Sequence, residues 1–284
     1  YKILYKNEVC TNQFEIRVKA PYITKNDKAG QFIILRVDKN SERIPLTIAD
    51  YDREKEELTI VYMAVGYTTK KLAKLNVGDE IEDIVGPLGK PTHIEKYGTV
   101  VCVAGGYGAA PCYLISKAFK EAGNKVYMIM GARNKDLIFW QDKMKDACTE
   151  LIITTDDGSL GIKGFTTNVM ADIMKKETVN YAIAVGPMPM MKAVADLTRG
   201  TGIKTEASMN PIMVDGTGMC GACRVTVGSE VKFACVDGPD FDAHLIDFDE
   251  VMNRSKIYKD YEKRCDETNC NLQKQARELE ASLK

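Results

Sequence analysis

The sequence has no apolar run that approaches the ~20 residues of a transmembrane helix. Its first residues, 1–5, also lack the long apolar core of a signal peptide. Basic and acidic residues number 39 and 40, so the formal net charge is −1 and nothing favours a nucleic acid or an anionic membrane as partner. These absences predict a cytoplasmic protein that binds neither.

Cysteines are odd in number, nine in all, which does not suit a disulfide framework in a chain of this size. Cys220, Cys223 and Cys235 lie close together and favour a metal site. No histidine lies within this C-x2-C-x11-C pattern, so a zinc ion would be one ligand short. Cys265 and Cys270 form a separate C-x4-C pair, interpreted as unpaired cysteines or a second metal site.

Asp215 precedes the three cysteines in the pattern D-x4-C-x2-C-x11-C. Plant-type [2Fe–2S] loops have the spacing C-x4-C-x2-C with a distant fourth cysteine, and here Asp215 stands at the first position. Soft thiolates suit iron, glycines let the loop curl, and a carboxylate can also ligate iron. We therefore predict a metal set of Asp215, Cys220, Cys223 and Cys235. A zinc site, or a simple turn at Asp215 with free thiols, is the alternative.

Short alternating strands such as 14–18, 32–37 and 58–62 dominate residues 1–94 and predict a small antiparallel β-barrel. Continuous apolar strands then alternate with helices, which predicts a parallel α/β domain over 95–210. The predicted strands are 100–104, 126–130, 151–154 and 181–185, and the predicted helices are 111–123, 136–147 and 164–176.

A glycine- and cysteine-rich lobe at 211–248 and a charged helical tail at 249–284 complete the predicted order of domains. In the tail, Leu272, Ala276, Leu279 and Leu283 form one apolar stripe at helical spacing. The stripe fits docking either onto the chain's own body or onto a partner.

Glycine-rich turns follow three of the predicted parallel strands, where open α/β sheets bind ligands. A helix N-terminus with free N–H groups can hold a phosphate there, although Pro111 replaces the third glycine of the G-x-G-x-x-G fingerprint. Asp157, after the third strand, would repel a 2′-phosphate and favours NAD(H) over NADP(H). The candidate nucleotide-binding residues are Gly105, Gly106, Gly108, Ala109, Ala110, Pro111, Gly131, Ala132, Arg133, Asp157, Gly186, Pro187 and Met188.

Two segments of the first domain carry possible flavin contacts. Arg43 can neutralise a pyrophosphate, and Thr47 can hydrogen-bond a flavin ring nitrogen. Gly66, Thr68 and Thr69 precede a helix predicted at 70–75, where an anion could bind. Each of these segments also fits an ordinary turn.

In order along residues 1–243, these motifs resemble the ferredoxin–NADP⁺ reductase superfamily. The cysteine loop is similar to that of the branch containing dihydroorotate dehydrogenase electron-transfer subunits. Asp215 in place of a cysteine, and the helical tail, resemble the small subunits of NADH-dependent reduced ferredoxin:NADP⁺ oxidoreductases, also called sulfide dehydrogenase subunits. The matching segments are Arg43-x-Pro45-x-Thr47, Gly66-x-Thr68-Thr69, Gly86-Pro87-Leu88-Gly89 and Gly105-Gly106-x-Gly108-x-Ala110-Pro111.

The resemblance implies an FAD-binding barrel, an NAD(H)-binding α/β domain and a [2Fe–2S] lobe. It also implies a large flavoprotein partner that carries [4Fe–4S] clusters, binds NADP(H) and reduces ferredoxin in an electron-bifurcating complex. The alternatives are the electron-transfer subunit of a dihydroorotate dehydrogenase and a non-enzymatic, zinc-stabilised nucleotide-binding protein. The FAD-binding residues then expected are Arg43, Pro45, Leu46, Thr47, Tyr62, Gly66, Thr68 and Thr69.

Overall fold

A computed structural model describes residues 1–261 and 264 of the chain. The apolar stripe of the tail, Cys265 and Cys270 therefore lie outside the described residues. None of the described helices is both long and apolar enough to cross a lipid bilayer.

The first 88 residues form a six-stranded sheet whose neighbouring strands are all antiparallel, in the order β1-β2-β5-β4-β3-β6. These strands are rich in β-branched and aromatic residues, and β3 and β5 are buried at four and five successive positions, so they form the inner part of the sheet. The strands are β1 Ile3–Cys10, β2 Gln13–Lys19, β3 Phe32–Arg36, β4 Arg43–Asp52, β5 Glu57–Met63 and β6 Asp83–Leu88, and the helices are α1 Pro21–Asn26 and α2 Tyr67–Leu72.

The predicted β-barrel is, among the described residues, an antiparallel sheet without a closing ladder between β1 and β6. Its edges nevertheless approach each other just before β6. Lys2 and Glu80 form an isolated antiparallel bridge, and the amide of Ile3 donates to the backbone oxygen of Asp79 at 2.9 Å. These bonds occupy backbone groups that an open edge would leave exposed.

A seven-stranded sheet follows, in the order β10-β9-β8-β7-β11-β12-β15, and it confirms the predicted α/β class. All neighbours pair in parallel except β15, which runs antiparallel to β12. Its strands are β7 Thr99–Gly105, β8 Lys125–Ala132, β9 Glu150–Thr155, β10 Ile162–Lys163, β11 Tyr181–Val185, β12 Lys204–Ser208 and β15 Asp240–Asp242, and its helices are α3 Ala109–Glu121, α4 Gln141–Ala147, α5 Thr166–Lys176 and α6 Met188–Thr198.

Two helices begin away from their predicted starts. Helix α2 begins at Tyr67 rather than residue 70, because the Thr69 hydroxyl accepts a hydrogen bond from the Gly66 amide at 3.0 Å. Helix α4 begins at Gln141 rather than residue 136, because Trp140 has a φ of 54° and breaks the helical path. The prediction also omitted helix α6 and strand β12, of which β12 extends the sheet beyond β11.

The last described part contains a hairpin of β13 Arg224–Val227 and β14 Glu230–Phe233, then β15 and α7 Phe248–Arg254. This part rests on both preceding sheets. The carboxylate of Asp240 on β15 accepts a hydrogen bond from Thr92, 148 residues away. Helix α3 also packs against β4, so the two sheets and the cysteine-rich part surround one cleft. The division of the chain at residues 94, 210 and 248 stays a prediction.

Candidate functional site

The cleft has a volume of about 300 Å³ and lies between the antiparallel sheet, the strand ends of the parallel sheet and the start of the cysteine-rich part. Strands β4 and β5 form one wall, and the turns after β7 and β11 form the other. The predicted residues that line it are Pro45, Leu46, Thr47, Tyr62, Gly108, Pro111 and Gly186. The structure thus brings four of the candidate flavin residues and three of the candidate nucleotide residues together at one place.

The order of the parallel strands reverses between β7 and β11. In open α/β sheets, ligands bind outside the carboxyl ends of strands at such a switch point. A Cβ on Gly108 would lie 2.3 Å from the Val185 carbonyl oxygen, and a Cβ on Gly186 would lie 2.9 Å from that of Gly105. The two turns therefore touch through glycine backbone. By contrast, a Cβ on Gly106 would meet nothing within 4 Å, so this turn faces open space.

Tyr62 has a buried hydroxyl with no hydrogen-bond partner in the cleft wall. The residue is 2% exposed, its ring stacks on Phe14, and burial raises the pKa of its phenol. An unpaired buried hydroxyl costs about 1–3 kcal/mol, so a polar ligand in the cleft would relieve it. This orphaned donor fits a flavin edge, which offers ring nitrogens and carbonyl oxygens.

Several predicted flavin residues lie outside the cleft. Arg43 donates from Nη2 to the backbone oxygen of Asp215 at 3.1 Å, and Thr68 Oγ1 donates to Glu42 at 3.3 Å. The Gly66 amide donates to the Thr69 hydroxyl, and this hydrogen bond stabilises the first turn of α2. None of these lines the cleft, and their contact with FAD stays a prediction.

The other nucleotide candidates do not line the cleft. A Cβ on Gly131 would lie 2.4 Å from Thr166, so this glycine allows helix α5 to approach β8. Asp157 accepts from the amide and hydroxyl of Ser159 at 2.9 and 2.7 Å, and these bonds lower its pKa. The candidates that do not line the cleft are Gly105, Gly106, Ala109, Ala110, Gly131, Ala132, Arg133, Asp157, Pro187 and Met188.

The cleft also contains residues that the sequence prediction missed. Tyr107 stands within the glycine-rich turn, and Ser208, Met209 and Asn210 follow β12. Recognising β12 as a fifth parallel strand would have identified these residues, because its carboxyl end lies beside that of β11. The remaining lining residues outside the prediction are Gly30, Phe32, Val61, Met63, Val65, Val185, Pro211, Met213 and Pro239.

Cys223 and Cys235 place their sulfur atoms 3.2 Å apart in a buried position. Burial, followed by the hydrogen bond and charge repulsion with the neighbouring Cys223, raises the pKa of the Cys235 thiol to about 12. Cys220 is exposed on the same loop, and backbone hydrogen bonds of Ala222 and Asp215 lower its pKa. Cys220 and Cys223 lie before the β13–β14 hairpin and Cys235 follows it, and thiol ligands suit iron better than they suit a harder metal ion.

Asp215 uses its carboxylate within its own loop. Oδ2 accepts from the Thr217 amide at 2.9 Å, from the Thr217 hydroxyl and from the Met219 amide at 3.3 Å. These bonds, the Thr217 hydroxyl first, lower the pKa of Asp215 and keep it charged. Among residues 1–261 and 264, no group of three or more potential ligands already surrounds a metal position. The whole ligand set of Asp215, Cys220, Cys223 and Cys235 therefore stays a prediction.

Comparison with known proteins matches residues 210–247 to the iron–sulfur cluster binding domain of dihydroorotate dehydrogenase B. An uncharacterized protein of the adh 3′ region of Clostridium beijerinckii is 51% identical, over 91% of this chain and 90% of its own. The dihydroorotate dehydrogenase B (NAD(+)) electron transfer subunit homolog of Thermotoga maritima is 44% identical, over 92% and 93% of the two chains.

One solved structure is similar over nearly the whole length. It comes from a study of flavin-based electron bifurcation in NADH-dependent reduced ferredoxin–NADP oxidoreductase. The TM-score is 0.90 and the sequence identity 42%, with 95% of this chain and 97% of that chain covered.

Proposed function

Because this chain belongs to the family of dihydroorotate dehydrogenase B electron-transfer subunits and their homologues, we propose that it relays electrons between NAD(H) and a partner protein through FAD and a [2Fe–2S] cluster. The observation that carries the proposal is the single cleft. Flavin residues of β4 and β5, the switch point of the parallel sheet and the start of the cysteine-rich part all face it. When bound, FAD exchanges a hydride with nicotinamide and single electrons with iron–sulfur centres.

The residues of the chain position these groups. Pro45, Leu46, Thr47 and Tyr62 would hold the flavin ring, and Tyr62 would offer its unpaired hydroxyl. The largely apolar lining would exclude water from the cleft, which strengthens the polar contacts inside it.

The dinucleotide would enter over the glycine turns. It would dock across Gly106, Gly108, Gly131, Gly186 and Met188. Gly106, where a Cβ would meet nothing within 4 Å, would let its pyrophosphate approach the backbone. Asp157 would favour NAD(H), because a carboxylate after the third parallel strand would repel a 2′-phosphate.

The cluster would be held by Cys220, Cys223, Cys235 and Asp215. The buried pair Cys223 and Cys235 supplies two adjacent thiols, and the match of residues 210–247 supports iron rather than zinc. Asp215 would complete the set once its carboxylate leaves the Thr217 hydroxyl.

The finer proposal concerns the complex. Similarity at 42% identity and a TM-score of 0.90 favours an NADH-dependent reduced ferredoxin–NADP oxidoreductase that bifurcates electrons. The partner would then be a large flavoprotein with [4Fe–4S] clusters that binds NADP(H) and reduces ferredoxin. The name of the Thermotoga maritima relative supports the second candidate, a dihydroorotate dehydrogenase. The subunit that co-purifies with the chain decides between them.

The deciding experiment replaces Cys223 by alanine in the assembled complex. NADH should still bleach the flavin absorbance of the variant, while electron delivery to the partner falls to background. Cys10→Ala, on β1 and away from the cysteine loop, is the matched control and should leave both rates unchanged. If Cys223→Ala still delivers electrons to the partner at the unaltered rate, the proposed relay through the cluster is wrong. If the as-isolated protein contains no iron or acid-labile sulfide, the proposed cluster is wrong.

A further inference from the structure

Arg254, the last residue of α7, binds the cysteine loop on both sides of Cys223. Its Nη2 donates to the backbone oxygen of Ala222 and its Nη1 to that of Arg224, each at 2.9 Å. One guanidinium group thus holds the carbonyl groups of both neighbours of a predicted cluster ligand. The rigid fork of arginine N–H groups suits such a double contact, whereas a lysine amine on its flexible stem offers no fork.

The same stretch of backbone also connects Arg254 to a second predicted ligand. A backbone hydrogen bond of Ala222 is the largest cause of the lowered pKa of Cys220, so the Ala222 amide interacts with that sulfur while its carbonyl oxygen is bound to Arg254. The carbonyl oxygen of Cys223 itself accepts from the Ala234 amide at 3.0 Å. The backbone carbonyls of residues 222, 223 and 224 are therefore all held, two of them by one side chain.

Helix α7 lies outside the segment of residues 210–247 that matches the iron–sulfur domain, so Arg254 reaches the cysteine loop from beyond that domain. The helix contacts α6 and β13, and its residues Phe248 and Val251 are buried. A cation in the last turn of a helix also suits the helix dipole. The two hydrogen bonds of Arg254, however, go to carbonyl groups of the loop, and the buried apolar face of α7 holds the arginine there.

The charge of Arg254 has an acidic neighbour on its own helix. Oε1 of Glu250 lies 4.0 Å from Nη1 of Arg254, and Oε2 of Glu250 is buried without a hydrogen-bond partner. The two side chains are 32% and 22% exposed, so solvent screens these charges less than fully exposed ones. Net charge is one of the factors that set the potential of an iron–sulfur cluster. A cation beside the loop favours the reduced cluster, which is the more negative form, and an anion favours the oxidised one.

We propose that Arg254 is a positioning residue of the cluster site, which fixes the backbone on both sides of Cys223 and whose charge raises the reduction potential of the cluster. The proposal rests on the proposed function, since it needs a cluster that Cys223 helps to hold. Arg254→Lys separates its two effects, because lysine keeps the charge and loses the fork, whereas Arg254→Gln loses both. Glu250→Gln removes the negative neighbour and keeps both hydrogen bonds.

The test uses the assembled complex and two measurements. Redox titration, followed by the electron paramagnetic resonance signal of the [2Fe–2S] cluster, gives the midpoint potential, and a chelator gives the rate of iron release. Arg254→Gln should shift the equilibrium constant for one-electron reduction roughly tenfold toward the oxidised cluster, a potential lower by about 59 mV. Glu250→Gln should shift the potential upward. Arg254→Lys should stay closer to the potential of the unaltered protein and release iron several-fold faster.

Lys192→Gln is the matched control, because it also removes a cation bound to α7. Lys192 Nζ lies 2.7 Å from Oδ1 of Asp249 and joins the helix to α6 rather than to the cysteine loop. This variant should change neither the potential nor the rate of iron release. If it changes both as Arg254→Gln does, the docking of α7 and not Arg254 governs the cluster, and the proposal is wrong.

The remaining outcomes separate this proposal from the proposed function. Unaltered protein without iron or acid-labile sulfide overturns the proposed function. With the cluster present, equal potentials in Arg254→Gln and the unaltered protein, or shifts of the same sign in Arg254→Gln and Glu250→Gln, overturn the effect of the charge. Iron release from Arg254→Lys at the unaltered rate overturns the positioning role. Loss of the cluster from Arg254→Gln alone, with Arg254→Lys still loaded, supports the positioning role, and Glu250→Gln then decides the effect of the charge.

Discussion

Arg43 and Asp215 join the antiparallel sheet to the cysteine loop through the 3.1 Å hydrogen bond from the guanidinium to the backbone oxygen. Arg43 is the first residue of β4, and Leu46 on the same strand lines the cleft. At ~3.3 Å per residue, the two positions are ~10 Å apart. One strand thus connects the candidate flavin site to the candidate cluster site. A second contact reinforces it, since a Cβ on Gly216 would lie 2.6 Å from Ile34 of β3.

Arg43→Ala should loosen the cysteine loop without emptying the flavin site. We expect faster loss of iron and acid-labile sulfide to a chelator, with the FAD content retained, because the arginine bonds the loop and not the cleft. The control is Arg199→Ala, which removes a similar bond of 2.9 Å to the backbone oxygen of His244, away from the cysteines. Loss of FAD with iron retained would instead support the pyrophosphate role predicted from the sequence.

Asp215→Ala should destabilise the cluster if the carboxylate is its fourth ligand, whereas Asp215→Cys should retain iron and change the electron paramagnetic resonance g-values. Asp237→Ala is the control for the loss of a carboxylate that only accepts hydrogen bonds from the backbone of a loop. Asp237 accepts from the Phe233 amide at 2.8 Å close to Cys235 and is no predicted ligand. Spectra of Asp215→Ala indistinguishable from those of the unaltered protein would rule out ligation by Asp215.

Tyr62→Phe should leave the flavin-free protein as stable as before, or up to about 2 kcal/mol more stable, because it removes a hydroxyl that has no partner. Its Kd for FAD should rise roughly fivefold if the hydroxyl bonds the flavin. Tyr181→Phe is the contrasting variant. The Tyr181 hydroxyl donates to Glu206 at 2.6 Å, so its removal should cost about 1–3 kcal/mol in urea denaturation. If the Tyr62→Phe protein is destabilised and its affinity for FAD is unchanged, the Tyr62 hydroxyl does not hydrogen-bond the flavin.

Gly108→Ala should separate the two turns at the switch point, because the new methyl group would lie 2.3 Å from the Val185 carbonyl oxygen. We expect at least a tenfold weaker Kd for NAD⁺, measured by titration, with FAD retained. Gly200→Ala is the control for backbone strain, since Gly200 has a φ of 75° and open space around it. Both variants should lose stability, roughly 1 kcal/mol for Gly200→Ala. If Gly108→Ala and Gly200→Ala bind NAD⁺ equally well, the close approach of Gly108 to Val185 does not shape the nucleotide-binding site.

Periodicity alone was enough to predict the fold class, because buried parallel strands and alternating antiparallel strands have different patterns. Strand β11 is observed at the predicted residues Tyr181–Val185, and β13 at Arg224–Val227. Strand β12 was missed because Lys204–Ser208 reads as a polar segment although Thr205 and Ala207 are buried. A strand of five residues at this position becomes evident only from its pairing with β11 and β15 in the sheet.

The lining of the cleft was predictable where one segment supplies several groups, as in 45–47 and the glycine turn. It was not predictable where the partner is distant in sequence. Nothing local to Arg43 indicates a bond to Asp215, and nothing local to Tyr107 indicates the hydrogen bond that its hydroxyl accepts from Asn210. Such pairs depend on how the two sheets and the cysteine-rich part meet.

Asp27 should make the stability of the protein fall as pH rises. Its carboxylate is buried and both oxygens lack hydrogen-bond partners; burial, opposed by Arg53, raises its pKa to about 7. In the unfolded chain an aspartate titrates near pH ~3.9, so between about pH 4 and 7 the folded protein binds more protons than the unfolded one. The free energy of unfolding therefore decreases across this window and stays low above it.

Asp27→Asn should remove that decrease, because the amide does not ionise. At pH 8 we expect the variant to be more stable than the unaltered protein by up to about 4 kcal/mol, with little difference at pH 4. Urea denaturation at pH 4, 6 and 8 measures the effect, and Glu54→Gln, an exposed carboxylate nearby, is the control. Parallel pH profiles for Asp27→Asn and the unaltered protein would mean that Asp27 ionises freely. A profile that flattens in Asp27→Asn and not in Glu54→Gln would assign the decrease in stability to the Asp27 carboxyl group.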